Sequence, residues 1–68
     1  MRKKEDWMFK GAIVLALGKK AVITKIQDGE INGTSYVYYI FCRLANEKRE
    51  GKYHPDDISD LVITATNL

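Results

Sequence analysis

The sequence predicts an all-β domain: five strands in a meander, with one tight 3-10 turn before the last. Three observations carry this. β-Branched and aromatic residues gather into runs of strand length, above all residues 35–44. Turn signals separate the runs, among them Gly18, Asp28-Gly29 and Asn32-Gly33. Where helix competes, over residues 8–17, bounding glycines and short length decide against it.

Residues 1–6 read as a flexible polar arm, and Trp7, Met8 and Phe9 open the apolar content of a domain spanning residues 7–64. Residues 12–17 (Ala-Ile-Val-Leu-Ala-Leu) form the first strand, ended by Gly18-Lys19-Lys20. The second covers residues 21–27, with Val22, Ile23, Thr24 and Ile26 suited to a pleated surface. Asp28-Gly29 and Asn32-Gly33 can each supply the positive φ of a hairpin turn, so residues 28–34 read as one loop. In the third strand, alternation places Tyr36, Tyr38, Ile40 and Cys42 toward the core and Val37, Tyr39, Phe41 and Arg43 on the other face. That second set is also largely apolar, as expected of a strand inside a closed barrel or at a contact surface. A charged connection at residues 45–51 leads to a short strand at 52–54. Pro55, Asp56 and Asp57 suit the start of a helical turn, where fixed φ and negative charge are favoured. Residues 60–64 complete the meander, and 65–68 are expected to fray.

A chain of 68 residues makes one domain, with little room for an enclosed active site. The single cysteine, Cys42, excludes an internal disulfide. The apolar run at 12–17 is far below the ~20 residues of a membrane-spanning helix. The basic start is followed by an apolar run broken at Lys10 and Gly11, without a cleavage site, so a cytoplasmic protein is expected. Charge is uneven. Residues 1–25 hold seven basic and two acidic side chains, a net +5, whereas residues 26–68 hold four and seven, a net −3. A basic first third can form a local positive face, although a merely solvated surface would look the same.

Catalytic and metal chemistry find little support. His54, the one histidine, has no convergent nitrogen or sulfur ligands for a metal, and its neighbours Asp56 and Asp57 fit the helical turn better. Cys42, in mid-strand on the expected core face, reads as a structural thiol. Neither Ser35 nor Ser59 sits in a nucleophile elbow, and the glycines are too scattered to cradle phosphate. The expectation is a non-enzymatic module with no cofactor, no small-molecule substrate and no membrane, monomeric or weakly dimeric.

The order of strands and turn is the plan of a small SH3-like barrel; an OB-fold barrel would want a longer chain and a true helix after the third strand. Residues 11–26, with glycines at Gly11 and Gly18 and spaced aliphatics at Val14, Ile23 and Ile26, resemble the SH3-like barrels of the KOW and Tudor type. Tyr38-Tyr39-Ile40-Phe41 is similar to their aromatic third strand, and residues 53–62 to their closing strand, turn and strand. Ala21 stands where KOW motifs commonly hold glycine. The resemblance implies binding of nucleic acid, of transcription or ribosomal machinery, or of methylated or peptide partners.

The constellation that suggests a site is basic and aromatic: Lys19 and Lys20 at the first hairpin, Lys25 on the second strand, and Tyr39, Phe41 and Arg43 on the outer face of the third. If that face is open, lysines can neutralise phosphates while rings stack on bases, each stack worth about 1–3 kcal/mol. The competing reading packs Val37, Tyr39 and Phe41 under the loops or against Trp7 as a second small core. Two further readings use the same rings: an aromatic cage for a cation that includes Trp7, and a protein interface or inhibitory module on the apolar face of the third strand.

Overall fold

A computed structural model of the chain describes residues 1–61. It is all-β, with strands β1 (Arg2–Lys3), β2 (Ile13–Ala16), β3 (Lys19–Ile31), β4 (Thr34–Leu44), β5 (Glu50–Tyr53) and β6 (Ile58–Asp60) and a 3-10 turn at Pro55–Asp57. They form one curled, half-barrel sheet of order β1-β4-β3-β2-β6, antiparallel at every pairing, with β5 also on β4. β3 takes one edge of β4 throughout; β1 and β5 share the other, at residues 36–37 and 40–43.

Two hairpin turns set the registers. Leu17 and Gly18 (φ 51° and 81°) join β2 to β3, and Asn32 and Gly33 (φ 52° and 82°) join β3 to β4. Positive φ at both central residues matches the twist of the flanking strands. The Asp28-Gly29 signal is therefore not a turn, and β3 runs through it to Ile31. Gly29 instead leaves room for the Tyr38 ring, which lies 3.0 Å from where a Cβ would stand.

Two bulges shape the long hairpin. Ile23 faces Cys42 and Lys25 faces Phe41, which leaves Thr24 as an extra residue on β3. Gln27 faces Tyr39 and Asp28 faces Val37, which leaves Tyr38 extra on β4. Each bulge resets the inside–outside alternation. The inward residues of β3 become Ala21, Ile23 and Ile26, and those of β4 become Val37, Ile40 and Cys42. This corrects the expected faces of the third strand: Val37 is fully buried, whereas Tyr36 and Tyr38 are only half-buried. With Met8, Val14 and Ile58 these side chains make the core, flanked by Trp7, Leu44 and Tyr53.

The segment expected to be a loose arm is tied down. Arg2 and Lys3 pair with Val37 and Tyr36, and Lys4 N–H donates to the Ser35 carbonyl at 2.9 Å. The Arg2 guanidinium donates to the Pro55 carbonyl at 3.1 Å and the Ile58 carbonyl at 3.4 Å, pairs with Glu5, and lies 5.6 Å from the Trp7 ring centroid. Such long-range tethers are invisible to a local reading of charge. The 3-10 turn falls where expected, with His54 at its cap: His54 Nδ1 accepts from Asp56 N–H at 3.2 Å. Among the described residues no helix is long and apolar enough to cross a membrane. Residues 62–64 of the expected last strand, and the fraying expected at 65–68, lie outside the described residues.

Candidate functional site

The outer face of β3, β4 and β5 follows from the pairing. Residues opposite one another share a face. One row across the three strands is Val22, Arg43 and Glu50; the next is Lys25, Phe41 and Lys52; Gln27 and Tyr39 follow. Lys20, two residues before Val22, shares this face at its β2 end, opposite Leu15. Among the described residues, four cations stand here against one carboxylate, Glu50. The Thr24 hydroxyl lies against that carboxylate and 3.2 Å from the Phe41 carbonyl.

The structure thus gathers Lys20, Lys25, Tyr39, Phe41 and Arg43. It sets Lys19 apart, because Lys19 opposes Ala16 and has the inward parity of Ala21, although it is exposed at the rim. Lys19 and Lys20 meet again at a shallow depression beside residues 44–47. Sequence reasoning misses Lys52. Its signal is the alternation of a four-residue strand, with Gly51 and Tyr53 toward Cys42 and Ile40 and with Glu50 and Lys52 outward.

The rings are neither fully open nor packed away. Tyr39 is 37% exposed and Phe41 is half-buried. Lys52 Nζ lies 4.0 Å from the Tyr39 ring centroid and Lys25 Nζ lies 5.4 Å from that of Phe41. The quadrupole of an aromatic face attracts an ammonium at such distances. Of the expected second core, only Val37 is buried, and it belongs to the main core. Nor do Trp7 and Tyr39 share a cation: Trp7 holds Arg2 and Tyr39 holds Lys52.

Ion pairing separates the basic residues into two groups. Arg2 pairs with Glu5, and Lys4 with Asp28 at 2.9 Å. Among the described residues, Lys19, Lys20, Lys25, Arg43 and Lys52 have no carboxylate within ion-pair distance. Two of the N-terminal cations are thus neutralised internally, whereas among the described residues Lys3, Lys10, Lys48 and Arg49, like the cations of the sheet face, have no such partner.

The same outer face continues onto β2, where Ile13 opposes Val22 and exposed apolar side chains gather. Phe9 (55% exposed), Ile13 (46%) and Leu17 (66%) project there, and Phe9 and Ile13 border a shallow depression with Trp7, Ala12, Asp60 and Leu61. Cys42 is fully buried, and burial pushes its thiol up to about 11, so it is not a reactive nucleophile. Comparison of the chain with known families, with curated proteins and with solved structures finds no match.

Proposed function

We propose that this chain is a small non-enzymatic binding module of the cytoplasm that takes up nucleic acid on the outer face of β3, β4 and β5. The observation that carries this is the set of cations, Lys20, Lys25, Arg43 and Lys52, that have no carboxylate partner among the described residues and share one face with two aromatic rings. Unpaired cations on a firm sheet release the counterions of a polyanion at little cost in order, the main source of nucleic-acid affinity. The path from β2 through β5 and the 3-10 turn, with β6 returning to pair with β2, supports reading the domain as an SH3-like barrel with β1 added.

Fluorescence anisotropy with a labelled duplex, over a series of salt concentrations, tests the proposal. Replacing Lys25 and Lys52 together with glutamine is expected to weaken binding and to lower the slope of log K against log salt by about 2, near 0.9 for each phosphate no longer neutralised. An unchanged slope and affinity would remove this face as the site.

A protein partner is the second reading, favoured by Phe9, Ile13 and Leu17 on the outer side of β2. It differs from the sequence expectation in its location, since Phe41 lies half-buried beneath Lys25.

A further inference from the structure

Phe41 and Tyr39 have the residue types of base-stacking platforms, but their surroundings suit another task. In register, Phe41 stands between Lys25 on β3 and Lys52 on β5. The ammonium of Lys25 rests on the Phe41 ring and that of Lys52 on the Tyr39 ring. Each ring therefore already holds a cation on one face. Among the described residues neither lysine has a carboxylate to hold it, so the ring is what fixes its position. An ammonium on a ring still directs its N–H donors outward, whereas a base stacking on the same face would have to expel it. Phe41 is also half-buried, which further limits the approach of a base.

The spacing suits a backbone. Neighbouring strands lie about 4.8 Å apart, so β3 and β5 hold the two lysines about 10 Å apart at their roots, on either side of β4. Arg43 stands on the same face of β4, two residues beyond Phe41, and adds a guanidinium fork suited to a phosphate.

We propose that this face reads the phosphodiester backbone and not the bases. Lys25, Lys52 and Arg43 are the phosphate ligands; Phe41 and Tyr39 are supports that hold the two ammonium groups in place. The inference rests on the nucleic-acid reading of the same face and narrows it to sequence-independent binding.

The test is an anisotropy titration of the full chain with two single-stranded probes of about 16 units, the upper site size of small single-strand-binding barrels. One probe is oligo-thymidylate. The other has the same phosphodiester backbone with abasic sugars. The two are expected to bind within about twofold of each other, because no base is stacked. A loss of about tenfold or more on removing the bases would overturn the proposal and restore the rings as platforms. If neither probe nor a duplex binds at low salt, the nucleic-acid reading itself fails, an outcome distinct from a preference between probes. Tyr39→Leu, with its fold checked by circular dichroism, supplies a second test. A support role weakens both probes equally; a stacking role weakens oligo-thymidylate alone, and that result would also overturn the inference.

Discussion

Replacing Leu17 with asparagine should stabilise this protein. The two hairpin turns have nearly the same backbone, with φ of 51° and 81° at Leu17-Gly18 and of 52° and 82° at Asn32-Gly33. Asparagine-glycine is the preferred pair for this geometry, and leucine is not. The left-handed region crowds a Cβ against the following carbonyl, at a cost of about 1–2 kcal/mol, which asparagine relieves in part through local hydrogen bonds. Against that gain stands lost burial. Leu17 is 66% exposed, so only about a third of the ~1.5–3 kcal/mol of a fully buried leucine is at stake. Its N–H bond to the Asp57 carbonyl, 2.9 Å, belongs to the backbone and survives. The net expectation is a gain of about 0.5 kcal/mol, or a rise of about 2–4 °C in Tm for a domain of this size. Asn32→Leu is the mirror experiment and should lose about 1 kcal/mol. Thermal unfolding by circular dichroism, with urea titration for the free energy, reads both. A Leu17→Asn protein that is less stable than the parent would refute the reasoning, by showing that the packing of the leucine outweighs its strain.

Two further perturbations test how the sheet is held. Burial keeps the Cys42 thiol protonated up to about 11, against an ordinary value of 9.0. The unfolded chain ionises first, so this group contributes fully below pH 9, and its contribution is lost as the pH rises from 9 toward 11. At about 1.4 kcal/mol per unit, urea titrations of the parent should lose on the order of 2–3 kcal/mol more across that window than those of Cys42→Ala; parallel pH profiles would contradict it. Arg2→Ala removes donors to the Pro55 and Ile58 carbonyls and the cation over Trp7. A decrease of about 2 kcal/mol is expected, with a change in Trp7 fluorescence, whereas a decrease under about 0.5 kcal/mol would mean that the N-terminal strand adds little.

Local chemistry makes most of the strands legible. Val14, Ile23, Ile40 and Cys42 lie in β-branched and apolar runs that announce their strands, and Pro55 with the aspartates after it announces the 3-10 turn. What stays hidden depends on partners far away in sequence. Arg2 reads as part of a solvated arm because Pro55 and Ile58, its acceptors, lie more than fifty residues away. Gly29 reads as a turn residue because nothing nearby announces that the Tyr38 ring will cover it. Lys52 stays hidden because four residues give too little alternation to fix a face; only its register with Phe41 does so.

The bulges decide which side chains share the outer face of this sheet. With strict alternation from Ile23, Lys25 would point into the core and Ile26 out of it. Thr24, the extra residue, returns Lys25 to the outer face opposite Phe41 and Ile26 to the core. Tyr38 does the same on β4, where Val37 turns inward while Tyr39 stays outward. An insertion of this kind leaves the pairing on either side intact and adds local twist, in keeping with the curl of the sheet. Thr24 also places its hydroxyl against Glu50, the lone carboxylate of those rows, giving that charge a partner other than the lysines. The irregularity that conceals the faces from a reading of the sequence is thus the same one that sets Lys25, Phe41 and Lys52 in a row, where the two ammonium groups have no carboxylate partner among the described residues.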